Sequence, residues 1–210
     1  IKWMEIYAGQ QAVDICGESL PQETIDAMKK YRVSIKGPLT TPIGNGYKSI
    51  NVSIRQKLDL FACVRPIRYF PGTNSPMVES NLTDMVVFRE NTEDLYTGIE
   101  WEPNSDGAKK IIEFIKKELG DSPFRFENEC GIGIKPVSRE GSERLITMAI
   151  EFALNEKKEI LTIVHKGNIM KYTEGAFRDW AYDLVKNKYD GTINDNGTYS
   201  IKCSKSGHVL

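Results

Sequence analysis

Apolar and polar positions along the chain follow two periodicities that indicate two kinds of element. Ile111, Ile112 and Ile115 share one side of the segment 106–119 while lysines occupy the other, which is typical of an amphipathic helix. By contrast, the segment 159–167, EILTIVHKG, is a short apolar run ending in polar residues, as expected of a strand. The same criteria predict helices at 20–31, from about Ser49 to Phe61, at 106–119, from Ser138 to Lys158 and at 173–189. They predict strands at 32–36, 84–90, 124–127, 131–135 and 159–167, and within 60–70 a strand that runs into an arginine-rich turn.

Helices alternate with apolar strands, and this alternation predicts an α/β fold in which helices cover a sheet. The neighbouring strand candidates 124–127 and 131–135 are joined by a polar turn, so we expect them to form an antiparallel excursion. Prolines and glycines interrupt the segment 37–47 too often for a helix or a strand, which predicts a loop. A chain of 210 residues is long enough for one substantial core or two small ones.

Composition and charge exclude several classes of protein. With 40% hydrophobic and 27% charged residues, the chain has the composition of a globular protein. Its net charge is −1 and the two signs are interleaved, so the sequence has no basic stripe that would indicate a nucleic-acid or anionic-membrane surface. No apolar run approaches the roughly 20 residues that a membrane helix needs. We therefore expect neither nucleic acid nor a membrane as a partner.

The four cysteines are widely spaced, without a CxxC pair or a cluster with histidine, so we predict reduced thiols and a cytoplasmic location. Neither histidine, His165 nor His208, is spaced as part of a metal pair. The chain does not begin with methionine, and its last residues read as a strand and a turn, so we expect a piece of a longer protein.

Polar side chains stand after several predicted apolar strands. In open α/β sheets ligands gather at strand ends, so these residues are the first candidates for a site. Ser49 at a helix start offers a hydroxyl and backbone N–H groups, and Asn51 and Arg55 share one face of that helix. Several arginines would suit several carboxylates, because guanidinium binds carboxylate through two parallel hydrogen bonds. The candidate anion-binding set is Ser49, Asn51, Arg55, Arg65, Arg68, Arg89, Lys166 and Asn168.

Each of these residues also has a simpler interpretation. A single arginine is more often a solvated surface charge or an ordinary ion-pair partner than a ligand-binding residue. Tyr96 and Lys166 are candidates for proton transfer, since a phenol or a desolvated amine can be tuned toward neutrality. Tyr96 taken alone is more often a core or interface aromatic.

Long blocks of the sequence resemble consecutive blocks of the bacterial NADP-dependent isocitrate dehydrogenases. These blocks are IKGPLTTPIGNGYKSINVSIRQKLDL, CVRPIRY, MVVFRENTEDLYTGIEW, CGIGIKPVSREGSERL and VHKGNIMKYTEGAFRDW. The resemblance runs over nearly the whole chain and matches the middle of such an enzyme, without its first and last portions.

The resemblance implies a role for each candidate residue. Positions matching Ser49, Asn51, Arg55, Arg65 and Arg89 hold the carboxylates of isocitrate in that family. Those matching Tyr96 and Lys166 transfer protons, with the lysine supplied by the other subunit of a homodimer. Asn168 matches a residue near the nicotinamide, and a loop lining cofactor and substrate is matched by Lys36, Thr40 and Thr41.

The implied reaction is oxidative decarboxylation of isocitrate to 2-oxoglutarate and CO2 with reduction of NADP. The family binds Mg²⁺ or Mn²⁺ through aspartates in its last third, outside this sequence. Its fold is not a Rossmann fold, in keeping with the missing GxGxxG motif. Residues 1–60 would belong to the large α/β domain, residues 61–93 and 139–210 to the small domain, and residues 94–138 to an antiparallel clasp that joins two subunits.

Three alternatives remain open at this point. Isopropylmalate or homoisocitrate dehydrogenases share the fold, but they carry other residues where this chain has Ser49 and Asn51. A catalytically silent regulatory subunit is a second alternative, against which Tyr96 and Lys166 both argue. The third is a truncated chain with a dimerising role only. The preference for NADP over NAD is implied by overall similarity alone.

Overall fold

The computed structural model describes residues 1–39, 49–120, 124–204 and 206–210. The chain folds into two compact units. The first unit is Ile1–Cys63 and the second is Val64–Leu210. Thr40 and Thr41, predicted to line the cofactor, lie outside the described residues.

Helices account for the core of the first unit. They are α1 (Gln10–Cys16), α2 (Gln22–Tyr31) and α3 (Ile50–Lys57). Ile25 on α2 packs with Ile50 and Ile54 on α3, and all three are at most 5% exposed. Full burial of such a side chain stabilises the fold by roughly 1.5–3 kcal/mol. The predicted helices at 20–31 and after Ser49 are confirmed, although α3 ends before Phe61.

The strand predicted at 32–36 is wrong. Val33 is 82% exposed and Ile35 is 79% exposed, and no strand is assigned there. An apolar alternation becomes a strand only where its backbone is paired and one face is covered, and in the described structure this segment has neither.

In the described residues, the strands form three two-stranded sheets. Strand β1 (Ala62–Arg68) pairs with β2 (Asp84–Glu90), β3 (Ile99–Trp101) with β4 (Ile132–Ile134), and β5 (Thr192–Ile193) with β6 (Tyr199–Ser200). The strand predicted at 84–90 is confirmed as β2, in which Met85 is 52% exposed and Val87 is 38% exposed. They are exposed because a two-stranded sheet covers little of either face.

The predicted antiparallel strand pair is present, but the strand at 131–135 pairs with a different partner from the one predicted. Strand β4 pairs with β3, with Ile99 opposite Ile134 and Trp101 opposite Ile132. The segment 124–127 is not a strand in its described residues, and Phe126 is 75% exposed. Ile99 and Ile134, and Trp101 and Ile132, lie directly opposite each other, and apolar pairs of this kind across two strands stabilise a sheet.

Three amphipathic helices complete the second unit: α4 (Asp106–Glu118), α5 (Arg139–Asn155) and α6 (Glu174–Lys188). The oxygen of Ser138 accepts a hydrogen bond from the Gly141 N–H (3.0 Å), so the predicted cap of the long helix is confirmed. The apolar faces of α5 and α6 meet in the main core of this unit, which contains Ile146, Ile150, Leu154, Ala181, Leu184, Val185 and Ile201.

The strand predicted at 159–167 is also wrong. Leu161 and Ile163 pack against the main core, while Ile160 is 79% exposed and Val164 is 84% exposed. The side chains alternate as in a strand, but the segment pairs with no strand in the described structure. An apolar groove of about 540 Å³ lies between this segment, β2 and α5. Among the described residues, no helix is both long and apolar enough to cross a membrane.

Candidate active site

Arg89 and Tyr96, both predicted from the sequence, lie in direct contact. Arg89 Nη1 donates a hydrogen bond to Tyr96 Oη (2.6 Å), and the guanidinium carbon lies 4.7 Å from the centre of the tyrosine ring. Nη2 of Arg89 donates to Asn91 Oδ1 (3.2 Å). Arg89 Nε is buried without a hydrogen-bond partner. A guanidinium held beside a phenol, with a buried donor left over, is suited to receive an anionic ligand.

The turn after β2 carries Tyr96 and is fixed by two carboxylates. Glu90 accepts hydrogen bonds from the backbone N–H groups of Thr92 (2.9 Å) and Glu93 (2.8 Å). Glu93 in turn accepts from the backbone N–H of Ser138 (2.8 Å) and from its hydroxyl. The segment leading to Tyr96 is therefore anchored to the start of α5, in the manner of a shared helix cap.

The anchor requires a glycine at position 141. A Cβ on Gly141 would lie 2.7 Å from Glu93 Oε2 and 2.8 Å from Glu93 Cδ. Carbon and oxygen atoms do not approach this closely, so any other residue would displace the Glu93 carboxylate.

Lys166 and Asn168 lie on a separate tight turn before α6, and both side chains are exposed. The carbonyl oxygen of Lys166 accepts from Ile169 N (3.1 Å) and Met170 N (3.0 Å). Gly167 is buried against the start of α6, where an added Cβ would lie 2.9 Å from the Gly175 Cα. Lys166 and Asn168 are therefore exposed on either side of Gly167, whose backbone packs closely against the start of α6.

Glu174, the first residue of α6, fixes this turn through hydrogen bonds of its carboxylate. Its Oε2 accepts from the Lys166 backbone N–H (3.0 Å), and its Oε1 accepts from Lys135 Nζ (2.5 Å). Lys135 Nζ also pairs with Asp94 Oδ2 (3.0 Å). These three side chains are 19–31% exposed.

The charged forms of Glu174 and Lys135 are both favoured by their contacts. The hydrogen bond from Lys135 lowers the pKa of Glu174, with the Lys166 N–H adding to the effect against the opposing influence of burial. For Lys135, burial disfavours the ammonium, but hydrogen bonds to Glu174 and Asp94 outweigh it and raise its pKa.

The remaining predicted substrate residues of the first unit lie on α3 or directly before it. Ser49 immediately precedes this helix, is exposed and makes no capping hydrogen bond with its side chain. Asn51 and Arg55 are half-buried and four residues apart, so they occupy one face. Asn51 Oδ1 is buried without a hydrogen-bond partner.

Two further predicted residues are exposed. Arg65 lies within β1. Lys36 lies on the segment after α2, where its Nζ donates to the Gly37 carbonyl (3.3 Å).

The residues that support the site were not predicted from the sequence; they are Glu90, Glu93, Asp94, Lys135 and Glu174. A signal for part of the set was present, because acidic residues cluster in the ENTED run, which begins at Glu90, the last residue of β2. In the described part of the chain, no group of three or more His, Cys, Asp or Glu residues is arranged to hold a metal ion.

Comparison with known proteins identifies relatives over the whole chain. Residues 1–197 match the family model described as isocitrate/isopropylmalate dehydrogenase. The chain is 51% identical over 212 residues to isocitrate dehydrogenase [NADP] 1 of Psychrobacter sp. (strain 13A), and 49% identical over 210 residues to isocitrate dehydrogenase [NADP] of Pseudomonas aeruginosa (strain UCBPP-PA14). These matches cover 100% and 99% of this chain, but 51% and 50% of the relatives. The chain therefore spans about half the length of the curated relatives it matches.

Solved structures show the same likeness. The crystal structure of isocitrate dehydrogenase from Methylococcus capsulatus superposes with a TM-score of 0.68 at 38% identity, covering 87% of this chain and 47% of that one. The TT0538 protein from Thermus thermophilus gives a TM-score of 0.67 at 34% identity, covering 87% of this chain and 32% of that one. With a family model matched along residues 1–197 and a shared mixed α/β fold, the chain belongs to the isocitrate/isopropylmalate dehydrogenase family.

Proposed function

We propose that the full-length protein oxidises and decarboxylates isocitrate to 2-oxoglutarate and CO2 while reducing NADP. The observation that carries the proposal is identity of about 50% along the whole chain to relatives named isocitrate dehydrogenase [NADP]. The proposal extends to the whole protein what is matched over about half of those relatives.

The contact between Arg89 and Tyr96 supports this chemistry. Arg89 keeps a buried Nε donor without a hydrogen-bond partner, and its guanidinium abuts a phenol that can exchange a proton. Arg89 is proposed to bind a substrate carboxylate next to the group that handles the proton. In the first unit, Asn51 has a buried acceptor and Arg55 lies four residues later on the same helix; we propose that both bind substrate, and that Ser49 and Arg65 complete the carboxylate-binding set.

The reaction divides into steps that the protein's own residues can serve. Hydride leaves C2 of isocitrate and the alcohol proton is removed, with Lys166 of the partner subunit as the proposed proton acceptor. The β-keto acid loses CO2, and Tyr96 is proposed to return a proton to the carbon left behind. NADP, when bound, accepts the hydride, and Mg²⁺ or Mn²⁺ supplies Lewis-acid stabilisation of the developing oxyanion.

Two of the described residues support a proposed cofactor site. Asn168 offers an exposed amide that could donate and accept hydrogen bonds, and Lys36 offers an exposed ammonium suited to a phosphate. We assign both to cofactor binding, together with Thr40 and Thr41. The metal ligands are proposed to lie in the portion of the relatives that this chain does not match.

The domain assignment is also a proposal. Residues 1–60 are assigned to a large α/β domain and residues 61–93 and 139–210 to a small one, with residues 94–138 forming an intersubunit clasp. The antiparallel pair β3 and β4 falls within the clasp segment, and Phe114 on α4 is 58% exposed. An exposed aromatic in the same segment as a two-stranded sheet supports burial in a homodimer. The protein is proposed to work in the cytoplasm.

The test is isocitrate-dependent reduction of NADP and of NAD, measured side by side for the full-length protein with Mg²⁺ present. A rate with NADP many-fold above the rate with NAD is expected. A folded dimer that turns over isopropylmalate or homoisocitrate instead, or that has no activity with any of the three, would refute the assignment.

A further inference from the structure

The network that lies behind Tyr96 and Lys166 joins the two turns that carry them. Lys135 follows β4 directly, and its single ammonium contacts Asp94 Oδ2 at 3.0 Å and Glu174 Oε1 at 2.5 Å. Asp94 opens the short helical turn Asp94–Thr97, on which Tyr96 lies. Glu174 bonds the backbone N–H of Lys166. One cation therefore links both turns through two carboxylates.

On the Asp94 side of this link, the backbone of Asp94 itself is strained. Asp94 has φ of 60°, in the left-handed region that non-glycine residues seldom adopt. Its backbone N–H donates to the Pro136 carbonyl (2.9 Å), next to Lys135 in the chain. The Tyr96 N–H then donates to the Glu93 carbonyl (3.1 Å). A strained residue persists only where its surroundings fix it, and here the surroundings are Lys135 and Pro136.

The Glu174 side fixes the backbone of the other turn. Since Oε1 is engaged by Lys135, Oε2 is oriented toward the Lys166 N–H, and rotation of the carboxylate would break one bond or the other. Glu174 also lies in the first turn of α6, where a negative charge is favoured by the helix dipole. The carboxylate is thus held in one orientation by a cation and a helix end.

An exposed ion pair would have little influence of this kind. The pair between Lys117 and Glu118, for example, joins side chains that are 84% and 52% exposed, and such pairs contribute little. The Lys135 side chain is 23% exposed and serves two carboxylates at once. Removing it would leave both carboxylates without their shared cation in a partly buried site.

We infer that Lys135 is a positioning residue that sets the turns bearing Tyr96 and Lys166 relative to each other, through Asp94 and Glu174. Lys135 itself touches neither proposed catalytic side chain in the contacts described. The importance of the two turns for catalysis rests on the proposed function, in which Tyr96 serves the active site of its own subunit and Lys166 serves that of the partner subunit, whereas the link between the turns is a matter of geometry.

Hydrogen exchange of the full-length protein tests the link without reference to activity. In Lys135→Met, peptides spanning 94–98 and 165–170 should both exchange about tenfold faster, because each loses a charge-assisted contact. Glu174→Gln should speed exchange mainly at 165–170, and Asp94→Asn mainly at 94–98. The control is Arg139→Met, which breaks more exposed ion pairs with Glu143 and Asp183 and should change neither peptide.

Kinetics supply the second readout. In Lys135→Met, kcat with isocitrate should fall roughly 10- to 100-fold while KM changes less, because misplacing proton-transfer groups slows turnover more than binding. Lys135→Arg should recover most of the rate, since a guanidinium can also contact two carboxylates. If Lys135→Met does not fold, Glu174→Gln and Lys135→Arg carry the test.

The outcomes separate the two proposals. Faster exchange in only one peptide, or in neither, would overturn the inference, and so would equal acceleration in Arg139→Met. A wild-type protein inactive with isocitrate would refute the proposed function, while the exchange pattern would still decide whether Lys135 joins the turns.

Discussion

Adding one methyl group at Gly141 should destabilise the protein, although alanine is normally the better helix former. Alanine gains about 0.8–1 kcal/mol over glycine inside a helix. Here the new Cβ would lie 2.7 Å from Glu93 Oε2, so the carboxylate must move away from its bonds to the Ser138 N–H and hydroxyl. A hydrogen bond to a charged group contributes about 1.5–3 kcal/mol.

The sign of the effect follows from these magnitudes. Loss of one such bond exceeds the helix-propensity gain, and loss of both exceeds it clearly. We expect Gly141→Ala to lower the free energy of unfolding by roughly 1–3 kcal/mol. The assay is urea unfolding of the full-length protein, followed by circular dichroism at a fixed protein concentration.

A double-mutant cycle isolates the cause. In a Glu93→Ala background the obstructing carboxylate is absent, so Gly141→Ala should become neutral or stabilising by up to about 1 kcal/mol. If Gly141→Ala destabilises the protein equally in both backgrounds, the contact with Glu93 is not the reason and the argument fails. Stabilisation in the wild-type background would refute it outright.

Three further predictions concern other residues. Arg55→Ala should raise KM for isocitrate roughly 10- to 100-fold with a smaller effect on kcat, because it removes a charge-assisted contact to substrate; steady-state kinetics of the full-length enzyme test this. Lys166→Met should instead lower kcat by about 10²–10⁴ with little change in KM, and an unchanged kcat would exclude it from proton transfer. Burial and a hydrogen bond to Glu151 raise the pKa of Tyr189 to about 12. Unfolded protein releases that proton near pH 10, so the free energy of unfolding should fall between pH 10 and 12, and fall less steeply in Tyr189→Phe.

The helices were predicted well from local patterns, because the sequence signal for a helix lies within a few neighbouring residues. Ser138 marked the start of α5, and the structure shows its capping bond to Gly141. Strand pairing was harder to predict. The sequence analysis paired 131–135 with its neighbour 124–127, whereas β4 pairs with the distant β3. Pairing depends on which edge is available in three dimensions, and the sequence spacing does not contain that information.

The site shows the same division between local and distant information. Arg89 and Tyr96 could be named from their positions after an apolar strand, and they lie close in sequence as well as in space. Lys135 and Glu174 are 39 residues apart, and nothing in the sequence of either indicates the other. Supporting residues of this kind can be identified only from the folded structure, because their contacts join distant parts of the chain.

The extended segment 159–165 has a consequence for biosynthesis. Its inward residues Leu161 and Ile163 pack on the main core, while Ile160 and Val164 remain 79% and 84% exposed along a backbone that no described strand pairs. On the ribosome, helices α5 and α6 can collapse around this segment early, because they flank it closely in sequence. The nascent chain would then display an open apolar edge, of the sort that invites self-association.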